Sequence, residues 1–241
     1  MTDLLVLIPA LNEEATIGAV VTKAVASLDG DVLVIDDGSW DRTARRALSA
    51  GARVLQHPYN LGVGAAIRSG IRYANEQGYR RVVQIDADGQ HEPDEAKRLL
   101  SRLAEGVDLV VGSRFAGDDP APYEVGFARR TSMRLLARVA SRQTHTTITD
   151  ATSGFRAFGP EALDLFGAYY PTAYLSDTVE ALLIGGAAGL RIREEPVQMH
   201  PRQGGTPSAR PLRSLMYLVR LNLVILLHPT RRPPRARAGL T

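Results

Sequence analysis

The sequence predicts an α/β domain built on a mainly parallel β-sheet with helices on both faces. Its 241 residues and 44% hydrophobic content suffice for one substantial core. Short β-branched segments alternate with longer segments that carry apolar residues at helical spacing, the rhythm of a doubly wound sheet. Polar residues collect directly after the predicted strands, where such sheets bind ligands. One domain with a ligand site at one sheet edge is therefore expected.

The first half of the chain is expected to supply five strands. The opening apolar run is too short for the core of a signal peptide and is interpreted as a strand. Ile17, Val20, Val21 and Ala24 recur at helical spacing before Gly30, which predicts the first crossover helix. The predicted strands are residues 4–8, 31–36, 52–56, 81–86 and 108–112.

The regular alternation ends at Gly117, and a second layer is predicted after it. A loop leads into a basic helical segment, and two strands and two helices follow. These elements are the helix at about 123–142, an edge strand at 152–158, a helix at 177–188, a strand at 191–199 and a helix at 211–227. The chain is thus divided into a main domain over 1–210, an amphipathic helix over 211–228 and a basic tail without regular structure over 229–241.

Composition restricts the chemistry that the chain can perform. The absence of cysteine removes thiolate-metal and disulfide chemistry and fits a reducing compartment. The net charge is only +3, yet residues 200–241 hold eight arginines and no acid, so the basic character belongs to the tail. Arginines without interleaved aromatic residues, on a slightly acidic body, argue against nucleic acid as a partner.

The segment Gln84-Ile-Asp-Ala-Asp-Gly-Gln90 ends a predicted strand in several polar side chains. A bare Asp-x-Asp is usually a solvated turn, but this strand has no structural need for so many polar groups at its end. Asp86 and Asp88 can turn toward one point, and oxygen ligands suit Mg²⁺ or Mn²⁺ with substrate phosphates completing the shell. Asp36 and Asp37 end a second strand and are expected at the same sheet edge.

The segment Asn60-Leu-Gly-Val-Gly64 opens a predicted helix and resembles a phosphate-binding glycine loop. Backbone amides around Gly64 would then meet a phosphate of the ligand. The segment lacks the full dinucleotide fingerprint, because Ile67 occupies the place of the third glycine. An ordinary helix entry, with glycine for close packing, stays open as the alternative.

Taken in order, these segments resemble glycosyltransferase family 2, with the GT-A fold, and within it the dolichyl- or polyprenyl-phosphate sugar transferases. The likeness covers almost the whole chain. The matching segments are Ile8-Pro-Ala-Leu-Asn-Glu-Glu14, Ile35-Asp-Asp-Gly-Ser39, Asn60-Leu-Gly-Val-Gly64, Asp86-Ala-Asp-Gly-Gln90, Val111-Gly-Ser-Arg114 and Ser153-Gly-Phe-Arg156.

The resemblance implies roles for individual residues of the donor site. In the family a late Arg-x-x-G-x-Ser loop folds over the donor, and Arg202, Gly205 and Ser208 offer a similar but not identical arrangement, followed by Ala209 and Arg210 in place of the family's Lys. A lid is implied, in which Arg202 stabilises the departing diphosphate, and a basic surface loop is the alternative. The remaining implied roles are a nucleoside pocket of Pro9, Asn12, Glu13 and Asp37, and a metal site of Asp86, Asp88 and Gln90.

The acceptor is expected to be a phosphate, because arginines follow the predicted fifth strand. A guanidinium group matches phosphate oxygens in two-point contacts. An ionised phosphate needs no general base, whereas a hydroxyl acceptor does, and Asp177 is the candidate for that role. The alternative for Asp177 is a helix-capping acid. The candidate phosphate ligands are Arg114, Arg129, Arg130 and Arg134.

The predicted C-terminal helix is amphipathic and carries Arg213 and Arg220. At about 1.5 Å per residue it is too short to span a membrane core, so it is expected to lie at the membrane interface with the basic tail. A core helix, or a docking face for a small membrane partner or a second subunit, stays open.

Together the residues and the resemblance predict an inverting glycosyltransferase on the cytoplasmic face of a membrane. It would move a hexose from a GDP- or UDP-sugar to a polyprenyl phosphate with Mg²⁺ or Mn²⁺ as cofactor. Transfer to a hydroxyl acceptor, or a non-catalytic nucleotide-sugar or lipid-phosphate binding module, are the alternatives.

Overall fold

The computed structural model describes residues 2–116, 127–172 and 177–199, and within these ranges it contains one seven-stranded sheet. The side chains of residues 127–130 and 132 are not described. The strands are β1 Leu4–Ala10, β2 Asp31–Asp36, β3 Arg53–Gln56, β4 Arg81–Gln84, β5 Leu109–Ser113, β6 Arg156–Phe158 and β7 Ile192–Pro196. The helices are α1 Ile17–Ser27, α2 Thr43–Ser49, α3 Val63–Gln77, α4 Ala96–Ala104, α5 Phe127–Thr144, α6 Pro160–Tyr169 and α7 Asp177–Ala188, with a 3₁₀ turn at Pro93–Glu95.

The sheet has the order β3-β2-β1-β4-β6-β5-β7, and all pairs except those of β6 are parallel. The predicted mainly parallel sheet, flanked by helices, is therefore confirmed. The five strands expected in the first half are all present. The helix predicted at 211–227 and the tail at 229–241 lie outside the described residues.

The predicted edge strand at 152–158 is wrong in position and in length. Only Arg156–Phe158 are extended, and they lie antiparallel between β4 and β5. All three residues are fully buried. A strand inserted between two others is covered on both sides, which the short segment by itself does not reveal. Helix α6, which follows it directly, was not predicted.

Apolar side chains fill both faces of the sheet, because a parallel sheet with helices on each side is buried throughout. Leu5 and Leu7 of β1 face a cluster that includes α3, α5, α6 and α7. Leu4, Val6 and Ile8 point to the opposite face, where α1, α2 and α4 pack. The alternation follows from the two-residue period of a strand.

The approach of α3 to the sheet depends on Gly70. A Cβ atom at this position would lie 2.2 Å from Cδ1 of Leu7. The helix therefore packs with its backbone almost directly on β1, which fixes where its first turn meets the sheet edge. Within the described residues, no helix is both long enough and apolar enough to cross a bilayer.

Candidate active site

The site lies at the carboxyl ends of β2, β1 and β4, which are adjacent in the sheet. Ala10 pairs with Asp36 across β1 and β2, and Leu7 pairs with Gln84 across β1 and β4. After β1 the chain crosses to β2 on one side of β1, whereas β4 pairs with β1 on its other side. The carboxyl ends of these strands therefore form a topological switch point. The prediction that the two acidic clusters share one edge is confirmed.

Asn12 joins the loop after β1 to the loop after β2. Its backbone has a φ of 55°, a left-handed conformation that asparagine tolerates better than most residues. Its amide donates to Oγ of Ser39 at 2.9 Å, and its Oδ1 accepts the amide of Trp40 at 3.1 Å. The amide of Glu13 donates to Oγ1 of Thr43 at 2.8 Å. Asn12 and Glu13, both expected in the donor pocket, thus tie the loop after β1 to the segment between β2 and α2.

Asp36 and Asp37 make several hydrogen bonds inside the protein. Oδ1 of Asp36 accepts the amide of Ser39, and its Oδ2 accepts Nε2 of Gln56. Asp37 accepts Nδ1 of His57 at 2.7 Å. Both carboxylates are buried. They hold the loops of this sheet edge together.

The loop after β4 carries the two carboxylates expected to bind a metal. Asp86 keeps about a third of its side chain exposed, whereas Asp88 is 7% exposed. Oδ1 of Asp88 accepts the amide of Gln90 at 3.0 Å, which folds the loop over the end of the strand. Gly154 lies beside Asp86, and a Cβ atom there would stand 3.1 Å from Oδ1 of Asp86. The missing side chain lets the backbone at Gly154 approach Asp86 this closely.

His91 supports Asp86 from within. Its Nδ1 accepts the amide of Asp86 at 3.1 Å, so the proton of a neutral ring lies on Nε2, 3.7 Å from Oδ2 of Asp86. The ring stacks on Phe155 with 4.7 Å between centroids. His91 is therefore a support for a carboxylate, a role that no sequence signal except its place after the motif suggested.

The residues present fit a hard divalent cation that shares its shell with a substrate. In the described part of the chain, no group of three or more His, Asp or Glu side chains is arranged to hold a metal by itself. Mg²⁺ sites commonly take only one or two carboxylates, with phosphate oxygens and water as the other ligands. Asp86 and Asp88 match this pattern.

The glycine loop leads into α3, and its two glycines have different roles. Gly62 precedes the helix with a φ of 95°, a conformation that favours glycine. A Cβ on Gly64 would lie 2.5 Å from the carbonyl oxygen of Pro171 and 3.2 Å from Cβ of Asp177. Close packing, the alternative for this loop, therefore accounts for Gly64, and a contact of its amide with phosphate stays a prediction.

A buried polar cluster of Arg156, Tyr170 and Asp177 lies close enough to Asp86 to interact with it electrostatically. Arg156 is fully buried, and its Nε and Nη2 donate to the carbonyls of Ser153 and Ala151. Among the residues that the structure describes, Nη1 of Arg156, the hydroxyl of Tyr170 and Oδ2 of Asp177 have no hydrogen-bond partner. Arg156 interacts electrostatically with Asp177, and Asp86 contributes a weaker repulsion. Asp177 is thus a nearly buried carboxylate that a single arginine charge partly compensates.

Burial raises the pKa of Asp177 to about 6, although Arg156 and the amide of Thr178 favour the charged form. Asp177 is the first residue of α7 and accepts a backbone amide there. Both expected roles, helix cap and general base, are compatible with this position. The unpartnered oxygen and the raised pKa are what a base working near neutral pH needs.

The raised pKa makes a prediction for stability. Because the folded protein holds this proton more tightly than the unfolded chain, whose value is 3.8, the free energy of unfolding falls as pH rises from about 4 to about 6. Asp177→Asn lacks this contribution. We expect the stability difference between the two proteins to move in favour of the variant by the order of 2 kcal/mol between pH 4 and pH 7.5. Urea unfolding at both pH values measures it, and an unchanged difference would contradict the raised pKa.

Arg114, expected to bind the acceptor phosphate, is fixed by Asp150. Its Nε and Nη2 donate to the two carboxylate oxygens of Asp150 at 2.6 and 2.9 Å. Glu194 of β7 accepts the amides of Thr149 and Asp150 and so fixes the acid in turn. Arg134 is exposed on α5. The side chains of Arg129 and Arg130 and all of Arg202 lie outside the described residues, so their roles stay predictions.

Several supporting residues were missed in the sequence because no local pattern marks them. Asp150 and Glu194 stand 36 and 80 residues from Arg114, and only the fold brings the three together. Arg156 belongs to Ser153-Gly-Phe-Arg156, one of the segments that resemble the family, but the resemblance implied no role for this arginine. His57 is a further supporting residue that no local sequence pattern marks.

The sheet order and the carboxylates at the strand ends agree with the GT-A fold expected from the sequence. A family model described as glycosyl transferase family 2 matches residues 5–166, and the chain belongs to this family.

Two relatives have names that refer to lipid phosphates. The polyprenol monophosphomannose synthase of Mycolicibacterium smegmatis is 32% identical over 173 residues, which are 66% of this chain and 63% of the relative. The dolichyl-phosphate hexose transferase of Haloferax volcanii is 31% identical over 212 residues, which are 85% of this chain and 86% of the relative.

A solved structure with a different acceptor shares the fold. The glucosyl-3-phosphoglycerate synthase of Mycobacterium tuberculosis, in complex with Mn²⁺, UDP and phosphoglyceric acid, superimposes with a TM-score of 0.69 at 26% identity. The match covers 93% of this chain and 77% of that one. The same enzyme with Mg²⁺ and UDP gives a TM-score of 0.70.

Proposed function

We propose that this protein is a metal-dependent, inverting glycosyltransferase that moves a hexose from a nucleoside diphosphate sugar to a polyprenyl phosphate. The observation that carries the proposal is the pair Asp86 and Asp88 directly after β4. GDP- and UDP-sugars are both candidate donors. The names of similar proteins refer to mannose, N-acetylglucosamine and hexose, so the sugar has to be identified by a screen of donors.

The donor is expected to span the edge from β2 to β4. Its nucleoside would lie against Pro9, Asn12 and the loop held by Asp37, and its diphosphate would reach Asp86 and Asp88. A bound Mg²⁺ or Mn²⁺ would neutralise charge on the departing diphosphate. Arg202 is proposed to add positive charge from the late loop.

Transfer by direct displacement needs one bond formed and one broken at the anomeric carbon. An acceptor phosphate oxygen forms the new bond to that carbon, and the bond to the diphosphate oxygen breaks on the opposite side, which inverts the configuration. The acceptor oxygen is already ionised, so no proton has to move. Arg114, oriented by its two bonds to Asp150, is proposed to hold this phosphate together with Arg130 and Arg134.

Phosphate-bearing acceptors recur among the similar proteins. The relatives from Mycolicibacterium and Haloferax are named for lipid phosphates, and the Mycobacterium tuberculosis enzyme binds phosphoglyceric acid. A lipid acceptor would place the protein peripherally on the cytoplasmic face of a membrane, through the segment after residue 210. A small membrane partner or a second copy of the chain would be alternatives for that segment.

A hydroxyl acceptor is the second candidate, and Asp177 favours it. This carboxylate has an oxygen without a hydrogen-bond partner and a pKa of about 6. A group of this kind can take a proton from a hydroxyl within hydrogen-bond reach. With a phosphate acceptor, Asp177 would instead have only its structural role at the start of α7.

An acceptor screen distinguishes the two candidates. Wild type and Asp177→Asn would be given GDP- and UDP-hexoses with Mn²⁺ or Mg²⁺, and polyprenyl phosphate, neutral polyprenol, phosphoglycerate or a simple glycoside as acceptor. We expect transfer to polyprenyl phosphate, with kcat of Asp177→Asn reduced less than about tenfold, because no general base is required.

Other outcomes of the screen would replace the proposal. Transfer to a neutral acceptor that falls by about 10² or more in Asp177→Asn would establish the hydroxyl mechanism. Transfer to phosphoglycerate alone would establish a small phosphate acceptor. Nucleotide binding without turnover on any acceptor would leave a binding module.

A further inference from the structure

His57 lies at the end of β3 and bridges two parts of the donor side of the site. Its Nδ1 is 2.7 Å from Oδ1 of Asp37, and its Nε2 is 3.0 Å from Oγ of Ser69. The side chains of His57 and Asp37 are 7% and 5% exposed. An ionised carboxylate only accepts hydrogen bonds, so Nδ1 donates to Asp37 and Nε2 of a neutral ring accepts the hydroxyl of Ser69.

Asp37 passes this orientation on to the glycine loop. Its Oδ1 also accepts the amide of Leu61 at 2.9 Å, and its Oδ2 accepts the amide of Gly62 at 2.8 Å. The carboxylate therefore collects three hydrogen bonds, two of them from consecutive amides just before α3. A carboxylate free to rotate about its side chain could not hold both amides, and the bond from His57 fixes that rotation.

The loop held in this way borders the proposed donor site on two sides. Toward the nucleoside, it packs on the loop after β2, since a Cβ on Gly38 would lie 2.6 Å from the carbonyl carbon of Tyr59. Toward the reaction, it sets the first turn of α3, where Gly64 contacts the backbone at Pro171 and Cβ of Asp177. A shift of the loop would therefore change both boundaries together.

The order Asp37, His57 and Ser69 has the distances of a hydrolytic triad, but Ser69 is not placed as a nucleophile. Ser69 lies in the regular part of α3, one helical turn after Ala65 and Ala66. A nucleophilic serine of that kind stands on a sharp turn between a strand and a helix, with its oxygen exposed. The hydroxyl of Ser69 instead serves only as the hydrogen-bond partner of Nε2 of His57.

We propose that His57 is a positioning residue for the donor nucleotide. It acts through Asp37 on the amides of Leu61 and Gly62, and it does not itself contact the donor. This role rests on the proposed donor site at the same sheet edge, and it assigns to His57 an effect on nucleotide affinity rather than on the chemical step.

The test uses two substitutions of His57, each of which keeps a nitrogen donor at the position of one of the two ring nitrogens. The amide nitrogen of asparagine lies as many bonds from Cα as Nδ1 of histidine, and that of glutamine as many as Nε2. His57→Asn keeps a donor for Asp37, whereas His57→Gln places its donor toward Ser69. Ser69→Ala is the matched control, because it removes only the partner of Nε2.

Dissociation constants of UDP and GDP with Mn²⁺ would be measured by calorimetry, next to kcat, the KM values of donor and acceptor, and the melting temperature. We expect His57→Gln to weaken nucleotide binding and raise the donor KM about tenfold, as for the loss of one bond to a charged group, with kcat and the acceptor KM within about threefold. His57→Asn is expected to stay within about threefold and Ser69→Ala within about twofold of wild type.

Two results would overturn the role of His57 alone. One is nucleotide binding by His57→Gln that equals wild type. The other is equal weakening in His57→Asn and His57→Gln that follows their melting temperatures, since that pattern marks a stability effect only. A wild-type protein that binds neither UDP nor GDP with Mn²⁺ would instead remove the proposed donor site, and the role of His57 with it.

Discussion

Asp88→Ala is expected to lower kcat for sugar transfer by about three orders of magnitude, because the diphosphate would leave without the charge of a bound metal. Asp88 is 7% exposed, and its Oδ1 accepts the amide of Gln90. Removal of the Asp88 carboxylate is therefore also expected to loosen the loop that carries Asp86. Turnover with saturating donor and Mn²⁺ or Mg²⁺ measures the effect. Binding of Mn²⁺ in the presence of UDP, followed by electron paramagnetic resonance, should weaken in parallel.

Asp94→Ala is the matched control for this experiment. Asp94 lies in the neighbouring 3₁₀ turn, is mostly exposed, and its carboxylate interacts with Lys97 and Ser27. We expect wild-type activity, since an exposed pair of this kind contributes little. Activity of Asp88→Ala within about tenfold of wild type, with unchanged Mn²⁺ binding, would refute a metal role for this carboxylate.

Arg156→Met is expected to lower the free energy of unfolding at pH 7.5 by about 3–5 kcal/mol, the usual cost of leaving a buried charge without its partner. Arg156 is fully buried and is the favourable charge next to Asp177, while its Nε and Nη2 bind two backbone carbonyls. Urea unfolding of the variant measures the loss. Its transfer activity should fall as well, because Asp86 also lies within the field of this arginine.

A double-mutant cycle separates charge from packing. Arg156→Met together with Asp177→Asn removes both charges, and we expect it to be more stable than Arg156→Met alone by about 1–3 kcal/mol. The carbonyls of Ser153 and Ala151 lose their donors in both variants and cancel in the comparison. Additive losses would show that Asp177 does not depend on the charge of Arg156.

The parallel part of the sheet could be predicted because each strand there is marked locally, by a β-branched run that ends in polar residues. Strand β6 carries no such mark. It has only three residues, begins with Arg156 and pairs antiparallel with two strands that are distant in sequence. Its burial depends on those neighbours, so the sequence suggested an edge where the fold has an internal strand.

The candidate site divides in the same way. Asp86, Asp88 and Asp37 were found from the sequence, because acids directly after apolar strands of a parallel sheet meet at one edge. Their supports were not found. His91 is one of five histidines scattered along the chain, and no local pattern distinguishes it from the others. The bond between Asp150 and Arg114 joins residues that are 36 positions apart.

The sequence by itself determined the fold class, the family and the edge of the sheet where the chemistry is expected. These follow from short-range patterns, since strand periodicity and a motif at a strand end involve residues that are close along the chain. Only the tertiary structure decided how those residues are held: His57 against Asp37 and Ser69, and Arg156 beside Asp177. Such contacts depend on which strands and helices become neighbours, and no local pattern encodes that choice.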